Sequence, residues 1–283
     1  MAEILDGKKL AKEIRKDLKR EVEKLKEKGI FPKLAVIMVG DNSSSEVYVK
    51  NKSFACKKVG IDFEEFFLDK SASEKELLEL IETLNVDKTV NGILLQSPVP
   101  KGMDINKAFR TILPEKDVDG FHPMNVGNLV IGEDCFISCT PYGVMKLLEE
   151  YKIEIEGKNA VILGRSNIVG KPMVQCLLTK NATITVCHSK TKEIQDIIKQ
   201  ADIVISAIGK PHFVTSDMIK EGAVVVDVGI NRLKDGTIAG DVEFESVEAK
   251  ASYITPVPGG VGPMTIAMLL ENVVKATKIQ NNL

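Results

Sequence analysis

Residues 160–172 read Ala-Val-Ile-Leu-Gly-Arg-Ser-Asn-Ile-Val-Gly-Lys-Pro. An apolar run of strand length meets Gly164, and a polar loop then leads to Gly170-Lys171-Pro172, where proline suits the first turn of a helix. Strand, glycine loop and helix form the arrangement that cradles a phosphate, because small residues let backbone donors come close and the helix N-terminus stabilises an anion. The spacing is not G-x-G-x-x-G, and by its letters alone the segment also fits a plain turn. The residues that follow favour a nucleotide fold. Further β-branched runs at 183–187, 203–208 and 224–228, with helices expected at 172–179 and 192–200, read as buried parallel strands of a Rossmann-like, doubly wound sheet.

A second alternating series precedes this one. Apolar runs at 34–39, 63–68 and 93–96 are separated by helical stretches at 44–59 and 73–84. Ahead of them, Leu10, Ile14, Leu18, Val22 and Leu25 recur at three- and four-residue steps and predict a helix over 6–28. Its ten Lys and Arg residues alternate with acids, as in Asp17/Arg20 and Glu21/Lys24, which marks a solvated face rather than a nucleic-acid surface. Between the two series, 113–141 is rich in Pro, Gly, Asn and Asp, and a helix to Glu150 follows it. The chain therefore reads as an α/β protein of two domains, 1–138 and 139–262, followed by a last helix at 263–283.

At 44% apolar and 28% charged residues the sequence can bury ordinary cores, which excludes a disordered polymer. A net charge of −2 gives no general attraction to nucleic acid or anionic lipid, so neither is expected as a partner. The five cysteines are scattered without a Cys-x-x-Cys pair, so no metal is expected and a reducing, cytoplasmic setting fits. The start lacks a basic-then-apolar signal pattern, and no apolar run approaches the roughly 20 residues of a membrane span.

In the second half, residues 188–192 read His-Ser-Lys-Thr-Lys, without the acid that usually holds the ribose hydroxyl in NAD enzymes. With Arg165 available to grip an added phosphate, the site suits NADP; a surface ion pair is the other use of that arginine. The segments 206–211 and 227–231 fall at strand carboxyl ends, where ligands of open sheets sit, and are expected to line the nicotinamide crevice, although glycine after a strand also makes ordinary turns.

In the first half, Ser43-x-x-Glu46 reads as a capping box, and Tyr48, Lys52, Ala55 and Val59 fall on one face of the helix it opens. Lys52 thus interrupts an inward stripe. It either snorkels to water or lines a pocket, where desolvation would favour its neutral form. Gln96 ends a strand ahead of Ser97-Pro98-Val99-Pro100; it is either a polar strand end or a carboxamide that fixes the lysine without adding charge. The loop from Pro114 to Pro123 carries Asp117 and Asp119, lacks the oxygens of a calcium loop, and reads as a substrate anchor. The last helix follows Gly259, Gly260 and Gly262 with Pro263 in its first turn, and Lys275 and Lys278 suit its negative end.

Taken in order, Tyr48-Val49-x-x-Lys52, Gln96-Ser97-Pro98, Asp117-Val118-Asp119-Gly120, Gly164-Arg165-Ser166-x-x-Val169-Gly170-x-Pro172 and Pro258-Gly259-Gly260-Val261-Gly262-Pro263-Met264-Thr265 resemble the bifunctional methylenetetrahydrofolate dehydrogenase/cyclohydrolase (FolD) family along almost the whole chain. The resemblance implies oxidation of 5,10-methylenetetrahydrofolate with NADP, then hydrolysis to 10-formyltetrahydrofolate in one cleft between two α/β domains. It implies that Lys52 handles protons, Gln96 orients it, Tyr48 packs on the folate rings and Asp119 holds the pterin edge. By the same resemblance Gly164, Arg165, Ser166, Ser189 and Ile230 contact NADP, while Gly259, Gly260, Val261, Gly262 and Pro263 border folate. A homodimer, and a last helix packed back on the first domain, are also implied. Two rival readings stand beside it: an NADP-linked dehydrogenase of another small substrate, and a noncatalytic folate- or nucleotide-binding module.

Overall fold

A computed structural model describes residues 1–41 and 43–283, with the side chains of 43–45 left aside, so the expected Ser43 cap lies outside the described residues. In chain order the elements begin with β1 (Glu3–Ile4), α1 (Gly7–Glu27), β2 (Lys33–Val39), α2 (Ser43–Val59), β3 (Asp62–Leu68), α3 (Glu74–Val86), β4 (Gly92–Leu95), α4 (Ile105–Thr111) and α5 (Pro123–Ile131). The second half runs α6 (Cys139–Glu150), β5 (Asn159–Leu163), α7 (Gly170–Leu178), β6 (Thr183–Cys187), α8 (Ile194–Ile198), β7 (Ile203–Ser206), β8 (Val224–Asp227), β9 (Asn231–Arg232), β10 (Ile238–Ala239), α9 (Phe244–Glu248), β11 (Tyr253–Ile254) and α10 (Val261–Gln280). No helix among the described residues is long and apolar enough to cross a membrane.

Two compact units emerge: Met1–Lys12 with Ser138–Thr265, and Glu13–Ile137 with Ile266–Leu283. The first contains a six-stranded sheet in the order β1-β11-β8-β7-β5-β6, parallel throughout. Its central strands are apolar because both faces are covered: Val161, Leu163, Val204, Val225 and Ile254 share one buried cluster, and the alternating Ile162, Ile205 and Val226 are fully buried as well. Each such side chain contributes roughly 1.5–3 kcal/mol when fully buried. The register places Cys187 beside Leu163, Leu163 beside Ser206 and Ser206 beside Asp227, so four strands end level on one edge. The order reverses between β5 and β7, the switch point at which open α/β sheets bind ligands.

The extreme N-terminus differs from the sequence-based boundary. The first twelve residues group with this sheet because β1 pairs in parallel with β11, while the Asp6 N–H donates to Tyr151 Oη at 2.9 Å. Two elements are also shorter than their apolar runs predict. Strand β7 stops at Ser206 because, after Ala207, the amides of Ile208 and Gly209 turn to a buried carboxylate, and α8 starts late because Glu193 adopts a left-handed φ of 48°.

The second unit holds a parallel three-stranded sheet, β3-β2-β4. Ala35, Ile37, Val39, Ile93 and Leu95 pack with Leu77, Ile81 and Leu84 of α3 and Phe109 of α4. A true capping box opens α3, where Ser73 and Glu76 satisfy each other's backbone N–H groups. The carboxyl-terminal part of α10 belongs here: Asn272 Nδ2 donates to the carbonyls of Val118 (2.8 Å) and Ile137 (3.1 Å), and Lys278 pairs with Glu21. Lys275 reaches the Cys135 carbonyl at 2.8 Å, so both basic residues answer specific acceptors beyond the helix dipole.

Candidate functional site

In the three-stranded unit, α2 and the end of β4 bring together the two residues singled out by pattern. Lys52 is half-buried, and its Nζ donates to Gln96 Oε1 at 2.9 Å. Gln96 Nε2 donates to the Ser97 carbonyl at 2.9 Å, which fixes which end of the amide faces the lysine. Its own N–H continues the sheet ladder to the Ile37 carbonyl at 2.9 Å, so the carboxamide hangs from a rigid strand end. The ammonium therefore has a neutral, oriented acceptor, and one of its three donors is engaged among the described residues.

The inward stripe of α2 differs slightly from the expected one. Val49, Cys56 and Val59 are fully enclosed with Ala55 beside them, whereas Tyr48 is 44% exposed. A tyrosine ring in that position, one turn before Lys52, is free to stack on a flat ligand. Cys56 sits one turn beyond the lysine; burial pushes its thiol up to about 12, against the opposing pull of the Lys52 charge, and leaves it an inert core residue.

The two aspartates of the 114–123 loop separate by role. Asp117 is buried and accepts from the N–H groups of Phe121 (3.1 Å) and His122 (2.8 Å) and from Asn125 Nδ2 (2.8 Å). Burial raises its pKa, and these bonds oppose the rise. It serves to shape the loop. Asp119 is half-buried, on the turn made by Gly120 with φ 73°.

In the six-stranded unit the expected cofactor residues all leave the level edge of the sheet. Gly164 has φ 113°, and a Cβ there would lie 2.5 Å from the Ala207 carbonyl oxygen. A Cβ on Gly170 would lie 2.4 Å from the Gly164 oxygen, so both ends of the loop require glycine. Ser166 braces the turn into α7, its Oγ accepting from Val169 N at 3.2 Å and Gly170 N at 3.4 Å. Arg165 and Ser189 are exposed, and Arg165 makes no ion pair among the described residues, which leaves its fork available for a phosphate. Ile230 is 49% exposed and meets the glycine run: its Cδ1 lies 3.7 Å from the Cβ position of Gly262. Gly259 to Pro263 thus belong to this unit, tied down where Lys8 N donates to the Gly259 carbonyl at 2.8 Å.

Sequence reasoning singled out 206–211 and 227–231 at the strand ends but missed Asp241 and the polar cluster it forms with them beneath this edge. Asp241, fully buried, accepts from Ser206 Oγ (3.2 Å), from the amides of Ile208 (2.8 Å), Gly209 (3.2 Å) and Lys210 (2.9 Å), and from Asn231 Nδ2 (2.9 Å). Asp227 accepts from the amides of Gly229 (2.8 Å), Asp241 (3.0 Å) and Val242 (2.8 Å), and burial lifts its pKa to about 6. The glycines packed on these carboxylates are the only available signal: a Cβ on Gly240 would sit 1.9 Å from Asp227 Oδ2, and one on Gly229 2.3 Å from Asp241 Oδ1.

Residues 5–119 match the model of the tetrahydrofolate dehydrogenase/cyclohydrolase catalytic domain, and residues 138–281 that of the NAD(P)-binding domain of the same family. The bifunctional protein FolD of Moorella thermoacetica is 56% identical over 277 residues, covering 98% of this chain and 99% of its own. The crystal structure of the FolD methylenetetrahydrofolate dehydrogenase/cyclohydrolase of Campylobacter jejuni superposes with a TM-score of 0.98 at 54% identity over the full length of both chains. That of Trypanosoma brucei, complexed with NADP and an inhibitor, gives 0.96 at 38% identity, covering 100% of this chain and 99% of that one.

Proposed function

Since the chain belongs to the tetrahydrofolate dehydrogenase/cyclohydrolase family, we propose that Lys52, held by Gln96, is the group through which it handles protons in the second of its two reactions. The protein oxidises 5,10-methylenetetrahydrofolate to the 5,10-methenyl cation with NADP and hydrolyses that cation to 10-formyltetrahydrofolate, a step of one-carbon metabolism. NADP, when bound, accepts the hydride that the methylene carbon gives up. The residues present suit that cofactor: two glycines where the backbone must come close, a free guanidinium at Arg165, and no acid at the end of β6.

Oxidation asks mainly for alignment, because the folate nitrogen lone pair stabilises the developing cation. Tyr48 would pack against the folate rings and Asp119 would hold the pterin edge. Hydrolysis asks for more. Water adds to the methenyl carbon and loses a proton; the carbinolamine then breaks its bond to N5, which must gain one. Lys52 Nζ exchanges these protons, and the Gln96 carboxamide keeps it aimed without contributing a countercharge. Around the cofactor, Gly164, Ser166, Ser189 and Ile230 would line the dinucleotide, with Arg165 on its added phosphate, and Gly259 to Pro263 would border folate beside Ile230.

Supporting a homodimer, the outer edge of β3 is unpaired among the described residues and exposes Phe67, an edge that a second copy could cover. Five free cysteines support a reducing, cytoplasmic setting. The observation that carries the proton-handling assignment is the 2.9 Å bond from a half-buried lysine to a neutral carboxamide. It is tested spectrophotometrically, by following NADPH formation from methylenetetrahydrofolate and then the decay of methenyltetrahydrofolate. Lys52→Met is expected to slow the decay by about 10²–10⁴-fold while NADP binding is kept. Decay at the parental rate overturns the role.

A further inference from the structure

The loop after β7 presents three consecutive backbone amides, those of Ile208, Gly209 and Lys210, to a single point, with Gly209 at φ 65°. Such a concave run of N–H groups ordinarily binds an anion. Here the anion is internal: the Asp241 carboxylate occupies it, 31 to 33 residues away in sequence. The same carboxylate takes the Asn231 amide from the first residue of β9, directly after the loop that leaves β8, and the Ser206 hydroxyl from the last residue of β7. It is fully enclosed, and the hydrogen bonds it accepts come from the end of β7, the loop after it and the residue that closes the loop after β8.

The geometry fixes more than a turn. With its amides drawn inward, the 207–210 loop sets the Ala207 carbonyl against Gly164, 2.5 Å from where a side chain would begin, so the position of one loop limits the other. Asn231 follows directly on Ile230, whose exposed side chain reaches toward Gly262. In a doubly wound sheet the pyrophosphate lies at the first glycine turn and the adenine half toward the strand on one side, here β6; the other half of the dinucleotide then falls over the loops after β7 and β8.

We propose that Asp241 is a positioning residue for the nicotinamide half of the cofactor: one buried carboxylate clamps both loops on which that half rests, without touching it. The inference rests on the NADP-dependent reading above. It predicts a split between the two reactions, because hydrolysis through Lys52 uses no nicotinamide and Lys52 belongs to the other compact unit.

Two sets of variants test this in the full-length protein. Asp241→Asn keeps the shape but turns an NH₂ toward groups that are already donors, so the KM for NADP and the Kd for NADPH, read by fluorescence titration, are expected to rise at least about tenfold. Asn231→Ala, at a partly exposed position outside the core, removes a single bond and should raise both by roughly three- to tenfold. Asn231→Asp should do more harm than Asn231→Ala, because it sets a second carboxylate against Asp241. In every folded variant methenyl hydrolysis should stay near the parental rate. If Asp241→Asn fails to fold, the Asn231 pair decides. NADP affinity unchanged in the Asn231 variants, or both reactions falling together in Asn231→Ala, overturns the assignment. A parental protein that itself fails to bind NADPH sinks the cofactor reading instead.

Discussion

The protein holds two polar clusters built on opposite plans. Lys52 and Gln96 share one hydrogen bond, are only half-buried and leave donors of the ammonium unspent among the described residues. Asp227 and Asp241 are nearly or fully enclosed and accept eight hydrogen bonds between them, five to Asp241 and three to Asp227. An unsaturated cluster near solvent can exchange a proton with a substrate; a saturated one in the interior can only fix backbone. Charge alone therefore does not mark the chemistry. The ionised groups with most bonds are those least able to react, and the residue with capacity to spare is the one assigned the proton work.

The sharpest way to break this contrast lies in pH. Asp227 has its pKa lifted by burial to about 6 from the ordinary 3.8, with the neighbouring Asp241 charge adding to the rise and three backbone bonds opposing it. The folded chain thus holds this proton more tightly than the unfolded chain does. The stability the group contributes is fully present below about pH 4 and is lost as pH rises through about 6. A shift of about two pH units corresponds to about 3 kcal/mol. Denaturant titrations of the parent and of Asp227→Asn should therefore show the parent losing about that much stability relative to the variant between about pH 4 and pH 7. A difference that stays flat over that window means that Asp227 ionises normally in the fold, and that its enclosure has no cost in charge.

Gln96→Ala probes the other cluster with a smaller expected effect. It removes the single hydrogen bond to the ammonium, of a kind worth roughly 1.5–3 kcal/mol, so hydrolysis should slow by about 10- to 100-fold, less than for Lys52→Met. Oxidation should be the less affected step, since it relies on alignment of two bound ligands. A variant that hydrolyses at the parental rate shows that Lys52 orients without its neighbour, and the contrast between sparse and saturated clusters would lose its functional meaning.

What could be seen in the sequence follows the same division. Helical spacing placed Lys52 on the inward side of α2 and a proline-rich exit placed Gln96 at a strand end, both local signals that survive in the fold. The glycine loop was legible because a close backbone approach leaves glycine as its trace, at Gly164 and Gly170. Asp241 was not legible. Its partners lie 10 to 35 residues away, and apart from the glycine the letters Gly-Asp-Val at 240–242 fit a surface turn as well as a buried acid. The same long-range bond pattern explains why the apolar run to residue 208 overshoots β7: Ile208 is apolar enough for a strand, but its N–H belongs to Asp241. Likewise Tyr48 falls on the lysine's face by spacing yet is 44% exposed, whereas its neighbour Val49 is buried.

Arg165 tests the sparse plan on the cofactor side, with the smallest effect of the set. Its guanidinium is exposed and makes no ion pair among the described residues, so nothing in the fold depends on it, and Arg165→Ala should leave stability within about 0.5 kcal/mol. If the fork grips the phosphate that distinguishes NADP from NAD, the substitution removes a charge-assisted contact present with one cofactor and absent with the other. The KM for NADP should rise roughly tenfold while that for NAD stays within about twofold, so the preference narrows without any gain for NAD. An equal rise for both would place the arginine on the pyrophosphate they share. No change for either would leave Lys190 and Lys192, which follow the end of β6, as the cations that read the extra phosphate. The distinction matters because a side chain with no structural duty can be exchanged at little cost to the fold. On this plan cofactor choice is carried by such a residue, while the carboxylates beneath the loops hold the surface on which either dinucleotide must lie.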